Sequence, residues 1–563
     1  MNGLGFRKGF WLFFCVCVLG TSVAVEPVRA ENRGYLGEYG AAKDQPHEIT
    51  LIDRGSIEDF YSGRNGEPFW IKGVRLNRNA ETLIKALDES WTHGLNPETY
   101  HLSVINEITH GKARNRQRLP LKPEAVMTFE LMLTDAYMRY VRDLSGMRVS
   151  AAGVDLEAGH WRQALRPAEA LVLLEGERGD EEKLRYALDY VAPKGATYLA
   201  LQAELIRLAE QLQKEPELII EQVSLNHPLF PGRSHKEVPK LRRRFGIGAP
   251  AGEETNYVYD VKLMEAVKDF QAKKGLSPDG VIGTKTLYAL NQGLADRVIQ
   301  LALNLERLRW MPPETARRVI MVNLPSATLW ALEEGKPVLE MPVIVGRPKR
   351  ATPSFRTNIV GVRFNPAWTV PPTIQKEDIL PKLIEDPGVL VDRGMELYSG
   401  YGADAQTLDP KSVDWAAMTP AEYKAVRIVQ VPGANNPLGR IRILMPNRHN
   451  IYLHDTNDRK LFSRSDRAQS SGCIRLQEPE KLASFILSTR KGWTDDGLNK
   501  YLKEKKTRDV MIPDNIPVYL LYNTAWIGPQ GQVVFGEDLY GYDKKLFSSL
   551  VKLKGIFLPG KRL

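Results

Sequence analysis

Two short runs decide the reading: Tyr452-Leu453-His454-Asp455-Thr456 and, after a loop, Ser470-Ser471-Gly472-Cys473-Ile474-Arg475-Leu476. The first ends an apolar strand, Ile451 to Leu453, and puts Tyr452 and His454 on one face of it. A cysteine nucleophile needs thiolate character and a positioned base. His454 stands 19 residues before Cys473, and the two meet only if the intervening loop folds back. Gly472 lets the backbone approach a substrate carbonyl, and N–H groups around Gly472 and Cys473 are placed to hold an oxyanion. Arg475 is near enough to lower the thiol pKa or to bind a carboxylate. His449, in the polar turn Pro446 to Asn450, competes as base but reads more simply as a loop residue.

The rest of the chain makes this cysteine unusual. There are 3 Cys among 563 residues: Cys15, Cys17 and Cys473. The first two lie in a segment that reads as a secretory signal over residues 1–30. Arg7 and Lys8 precede an apolar stretch, Gly9 to Gly20, and small residues follow, with cleavage sites at Ala24 or Ala30. The apolar run is short for a spanning helix, although an uncleaved anchor is the alternative. One thiol is then left in an exported, oxidising setting, where it has no intrachain partner. A small buried hydrophobe is the plain reading of such a cysteine and a nucleophile the sharper one. There is no CxxC, no HExxH among the 9 His and no Gly-rich phosphate loop, so no metal or cofactor is expected.

Composition sets the frame. Hydrophobic residues make up 43%, aromatics 9% and charged residues 26%, which excludes a disordered, collagen-like or multi-pass membrane chain. The balance of 77 Lys+Arg over 68 Asp+Glu, a net +9, is no nucleic-acid footprint by itself and suits work beside an anionic polymer. The expected fold class is multidomain α+β. Residues 47–225 read as a helical scaffold, with helices at Ala80 to Ser90 and Pro123 to Leu144 and a long one carrying Tyr198, Leu201, Leu205, Leu208 and Leu212 on one face. Breaks at Asn226-His227-Pro228 and Phe230-Pro231-Gly232 close it.

Residues 236–293 form a separate module. Val261 to Lys273 is an amphipathic helix, Gly275 its stop, Pro278-Asp279-Gly280 a turn, and Thr284 to Leu290 a second helix. The tract Arg242-Arg243-Arg244 is tempting as a glycan-facing patch and reads first as a solvated helix face. From 317 to 545 the rhythm is that of strands: Arg317 to Leu324 and Pro337 to Val345 around a turn at Glu333 to Lys336, then Arg356 to Phe364 and Arg440 to Met445. Between 371 and 436 the strand rhythm stops, as in an inserted lid or substrate subdomain. Ile516 to Tyr522 and Gln532 to Phe535 read as a late hairpin around Gly528 to Gly531.

Two resemblances rest on these residues. Ala266, Val267, Phe270, Gln271, Gly275, Leu276, Asp279, Gly280, Val281, Ile282, Gly283 and Thr286 resemble the small three-helix peptidoglycan-binding module. His454 with Ser470-x-Gly472-Cys473-x-Arg475 is similar to the signature of the L,D-transpeptidases, the YkuD-type cysteine transpeptidases of peptidoglycan. Much of that family has Ser-His-Gly-Cys. Ser471 replaces the second histidine here and leaves His454 as the motif's one base, as in the large periplasmic YcbB-like branch. That branch also resembles this chain in its helical scaffold, its module and its lid, which Asn365-Pro366-x-Trp368-x-Val370-Pro371 and Asp378 to Lys382 begin.

The resemblance implies a periplasmic enzyme acting on peptidoglycan stem peptides and glycan, with other wall synthases as partners and carbapenems as acylating inhibitors. Cys473 attacks the carbonyl between residues three and four of a donor tetrapeptide, D-Ala leaves, and an amine of a neighbouring stem takes the acyl group in a 3→3 cross-link. The Asp455 backbone carbonyl orients the imidazole, so its carboxylate is no triad member. Tyr452, Trp368, Ser470, Ser471 and Arg475 line the site. Each has a plainer reading: core for the aromatics, turn residues for the serines, an ion pair for the arginine. Hydrolysis by an L,D-carboxypeptidase, lipoprotein anchoring, a sortase-like enzyme and a non-catalytic wall-binding scaffold stay open as alternatives. No nucleic acid or stable membrane insertion is expected.

Overall fold

The computed structural model describes residues 50–110, 123–157, 159–176, 178–214, 223–249, 254–274, 276–313, 315–464 and 466–557. The expected targeting segment with Cys15 and Cys17, the leader after it, and Gly275 lie outside these residues.

The site belongs to a nine-stranded sheet. Its order runs Ala468–Ser470, Lys336–Gly346, Ile474–Leu476, Leu453–His454, Ile441–Leu444, Phe355–Phe364, Arg508–Leu521, Arg318–Asn323 and Thr328–Glu333. Thr328–Glu333 also pairs with Lys336–Gly346, so the sheet closes on itself. The closed wall holds a core of Ile320, Val343, Val362, Ile443, Leu453, Ile474 and Val518, with Leu482 and Ile486 of helix Pro479–Leu487 packed against it. Strand burial alternates, as in Ile441–Leu444, and leaves every second residue for the other face.

The structure corrects several strand assignments. Thr328–Glu333, absent from the sequence reading, is the strand that turns at Glu334-Gly335 into Lys336–Gly346. Ile516 to Tyr522 is no hairpin arm: it belongs to Arg508–Leu521, deep in the main sheet, and the hairpin joins Ala525–Ile527 to Val533–Phe535. The insertion is not free of strands. Trp368–Thr369, Arg427–Gln430, Met395–Tyr398 and Thr407–Leu408 make a four-stranded sheet over their own core of Val370, Leu383, Leu390, Leu397, Trp415 and Ile428. Strands of two to four residues are too short to display a period of two.

The N-terminal domain is helical as expected, built around Pro123–Ser145 and including Arg78–Asp88 and Ala196–Lys214. In the small module Gln271 is the hub. Its Nε2 donates to Asp279 Oδ1 (2.8 Å), the Val281 carbonyl (3.0 Å) and Thr286 Oγ1 (3.0 Å), and its Oε1 accepts the Gly280 N–H (2.9 Å). The Gln, Asp-Gly and Thr of the tract are thus one network around the buried Gln271. Arg242 is not part of a solvated face: it is buried and paired with Asp260 at 2.6 Å.

Helix Leu294–Arg309, which the sequence reading left unassigned, joins the domains. It packs on Ala196–Lys214 in one core that also takes Trp161, Tyr519, Ala525 and Leu546 from both sides of the molecule. Buried polar residues on it bond across the joint: Gln300 and Asn304 to Thr524, Arg307 to Asp543 at 2.5 Å, and Glu306 to Arg148 at 3.0 Å and, within the helix, to Arg309 at 2.5 Å. The scaffold is therefore fused to the sheet domain and does not stand apart. Helix Tyr542–Lys552 runs across residue 545, where the expected domain ended, and the Phe557 N–H reaches the Gly94 carbonyl at 3.1 Å.

Two guanidinium groups share the fully buried Glu306 carboxylate, which they hold below the ordinary carboxylate range against the cost of burial. Removing that charge leaves buried cations uncompensated. Glu306→Gln is expected to cost about 3–5 kcal/mol of stability, measured by urea denaturation of the full chain.

Candidate active site

The loop after His454 does fold back. Leu453 pairs parallel with Ile474 and His454 with Arg475, and the Tyr452 carbonyl accepts the Ile474 N–H at 3.0 Å. Cys473, one residue before the strand, therefore sits beside Tyr452. On the other flank Arg442 pairs with His454 in antiparallel register. Three strands thus present a row, Arg475–His454–Arg442, on one face.

The half-buried Cys473 thiol faces the Asn450 carbonyl, with Sγ at 3.7 Å. Burial pushes this thiol up from its ordinary value. The amide and hydroxyl of Tyr452, with Arg442 and Arg475, pull the other way without overcoming it. His454 is buried, and its Nδ1–H donates to the Asp455 carbonyl at 2.5 Å. A carbonyl only accepts, so this bond places the proton on Nδ1 and leaves Nε2 as a bare lone pair. Burial first, then Arg475, lowers the imidazole to about 3, with Arg442 adding to it. The resting pair is a neutral thiol and a neutral imidazole.

The other expected residues fall into two groups. Tyr452 and Trp368 meet at the site: the indole, on the short strand that leads into the insertion, lies by the Tyr452 hydroxyl. Tyr452 also packs edge-on to His454, with ring centroids 5.5 Å apart. Arg475 reaches Thr456 Oγ1 at 3.3 Å. Ser471 accepts from Arg350 at 2.9 Å, and the same guanidinium holds Asp378 (2.7 Å) and Glu377 (2.5 Å) at the start of the insertion. Arg350 so ties the insertion to the residue just before Gly472.

Ser470 does not face a ligand. Its buried hydroxyl donates to the Cys473 carbonyl (2.6 Å) and accepts the Gly472 N–H (3.1 Å), bracing the turn. The Gly472 N–H is thereby used inside the turn, and the Cys473 N–H has no hydrogen-bond partner among the described residues. Gly472 has φ +117°, and a Cβ there would stand 3.2 Å from Ile451 Cδ1, so the turn needs glycine. The Asp455 carboxylate is structural: it accepts from the Arg440 and Thr456 amides (2.8 and 2.7 Å) and pairs with Arg459 at 2.9 Å. His449 bonds Glu157 of the scaffold at 3.0 Å and packs tilted against the Phe355 ring, so it joins domains.

Three residues escaped the sequence reading. Thr352 holds the Gly472 carbonyl at 2.7 Å and receives the Gly346 N–H at 2.9 Å. Arg350 lies far from the motif in sequence, and nothing local marks it. Arg442 was within reach, since the alternation in Arg440 to Leu444 puts it on the face opposite the core residues Ile441 and Ile443. Among the described residues no group of three or more His, Cys, Asp or Glu is arranged to hold a metal ion.

Residues 317–509 match the YkuD family, the L,D-transpeptidase catalytic domain. The chain carries a YkuD-type L,D-transpeptidase catalytic domain. Residues 55–205 match the family described as "Scaffold domain" and residues 243–290 the "Putative peptidoglycan binding domain". A protein of Haemophilus influenzae (strain ATCC 51907 / DSM 11121 / KW20 / Rd) described as "Putative L,D-transpeptidase" is 37% identical over 247 residues, 44% of this chain and 48% of that protein. The chain thus covers about half the length of this curated relative. Solved L,D-transpeptidases from Mycobacterium smegmatis (13% identity, 37% of this chain, 59% of that one, TM-score 0.16) and Stackebrandtia nassauensis (13%, 54%, 98%, 0.18) align too weakly to carry an argument.

The raised thiol and the depressed imidazole give one sign. Thiolate forms only as pH climbs past the ordinary thiol value of about 8.5. The rate of Cys473 alkylation by iodoacetamide should rise with pH through one midpoint above that value. A plateau of reactivity between about pH 4 and 8 would instead reveal a resident thiolate–imidazolium pair.

Proposed function

We propose that this L,D-transpeptidase domain cross-links peptidoglycan stem peptides 3→3 through an acyl-enzyme on Cys473. The observation that carries the proposal is the pairing of Leu453–His454 with Ile474–Leu476, which brings a bare-Nε2 imidazole to the strand beside the domain's one described cysteine. A matched peptidoglycan-binding domain on the same chain supports the substrate.

The resting pair is neutral, so the proton moves during attack. The Cys473 sulfur bonds to the carbonyl carbon between residues three and four of a donor tetrapeptide as His454 Nε2 takes the thiol proton. The carbonyl oxygen becomes an oxyanion facing the free Cys473 N–H. Collapse breaks the C–N bond, the imidazolium gives its proton to the departing amine, and D-Ala leaves a thioester. A side-chain amine of a neighbouring stem then attacks the thioester, passes a proton through His454 to the sulfur, and forms the cross-link. The Asp455 carbonyl holds the tautomer throughout, and Ser470, Thr352 and Gly472 hold the turn. Tyr452 and Trp368 close one wall, and the insertion limits water. Such an enzyme works outside the cytoplasm, in keeping with the targeting pattern of residues 1–30.

The test is intact mass. Full chain and its Cys473→Ala form are incubated with disaccharide-tetrapeptide, and protein and products are weighed. A Cys473-dependent acyl adduct and a dimeric muropeptide lacking one D-Ala are expected. Tripeptide alone would make the enzyme a carboxypeptidase. No adduct and no product, with wall binding retained, would leave a binding scaffold. His454→Ala should lower turnover at least about 100-fold, while Asp455→Asn, which keeps the backbone carbonyl, should cost far less.

A further inference from the structure

The row through the active site does not stop at Arg442. Arg442 pairs across the sheet with Arg363, and Arg363 with Asp509. Five adjacent strands so align Arg475, His454, Arg442, Arg363 and Asp509 on the face that carries the nucleophile. Asp509 is fully engaged by Arg363, in two hydrogen bonds of 2.6 and 2.7 Å. Arg475 has Thr456 as partner and Asp458 in range. Arg442 differs from both. It has no hydrogen-bond or ion-pair partner among the described residues: Asp509, already engaged by Arg363, acts on it only through its charge, and its buried Nε is unsatisfied. Its guanidinium stacks on the Tyr452 ring, 3.9 Å from the centroid, beside both Cys473 and His454.

A half-buried guanidinium without a bonded anion is costly. Stacking on an aromatic face holds it flat and leaves its N–H edge open, the arrangement suited to two parallel bonds to a carboxylate. It also makes catalysis harder in the empty enzyme, because a cation beside His454 opposes imidazolium formation. An anion arriving with the substrate would remove both costs at once.

The reaction proposed above supplies that anion, and the inference rests on it. The amine that His454 protonates belongs to the leaving amino acid. The carboxylate of that amino acid is carried by the same α-carbon, so it falls within a few ångströms of His454. The side chains flanking His454 are Arg475 and Arg442, and Arg442 is the one without a partner. We propose that Arg442 binds the free carboxylate of the donor's leaving residue. In this role it selects donors whose scissile bond lies one residue from a free C-terminus, and its charge is neutralised as the imidazolium forms. No bond is made or broken by Arg442, so it is a binding and specificity residue.

Binding and turnover are measured separately. In Cys473→Ala full chain, calorimetry compares a stem tetrapeptide with its C-terminal carboxamide. The acid is expected to bind about tenfold tighter than the amide, the worth of a charge-assisted pair. Adding Arg442→Gln should erase that preference, and Arg442→Lys should keep part of it. In the protein with Cys473 intact, Arg442→Gln should raise KM for the acid about tenfold more than for the amide. Equal binding of acid and amide to the Cys473→Ala protein would overturn the proposal. So would an Arg442→Gln loss of the same size for both peptides, which would make Arg442 only a prop for Tyr452. A retained acid preference without turnover of either peptide would defeat the transpeptidase reading and leave the carboxylate site standing.

Discussion

Two residues of parallel pairing, Leu453 with Ile474 and His454 with Arg475, hold together the groups on which the proposed chemistry rests. Side chains alternate along a strand, so a slip of one residue would turn His454 into the core and Leu453 onto the working face. Burial prevents the slip. Leu453, Ile474 and Leu476 are each at 0% exposure and packed in the closed sheet. The core therefore sets the register, and the register places the His454 imidazole on the face that carries Cys473. The turn in front of Ile474 is fixed separately, by the left-handed Gly472 and the hydroxyls of Ser470 and Thr352.

The same sheet face keeps the site quiet until it is filled. Burial and two flanking arginines depress His454, and burial outweighs the charges acting on Cys473. The insertion completes the arrangement from above, through Trp368 at Tyr452 and through the Arg350 grip on Glu377, Asp378 and Ser471. A π-helical turn, Gln375–Ile379, sits at that grip, a form of helix often found where function imposes strain.

What could be read from the chain follows the range of the interaction. Long amphipathic helices, Arg78–Asp88, Pro123–Ser145 and Val261–Lys273, show their period in sequence. The Gln271 network was visible because its members lie within one short tract. Cys473 and His454 were visible because few residue types can do this chemistry. Thr352, Arg350 and Arg442 were not singled out, since a threonine or arginine becomes informative only when the fold shows what it touches. Thr328–Glu333 and the strands of the insertion are too short or too uniformly apolar to announce themselves. Helix Leu294–Arg309 was passed over because its buried face carries Gln300, Asn304, Glu306 and Arg307, residues that usually signal solvent and here serve as joints between domains.

That last helix shares its core with the chain's final segment. Leu95 bridges to Ile556, the Phe557 N–H bonds the Gly94 carbonyl, and Asn96 and Thr99 hold the Lys554 carbonyl. A ribosome emits residues 94–99 long before it emits 554–557. The joint between them closes only after both have been made, while the core that holds Leu83, Leu133, Tyr137 and Leu184 is built within the helical domain itself. Domain-by-domain folding, the usual protection of long chains, stays open to the helical core, and only its joint to residues 554–557 has to wait.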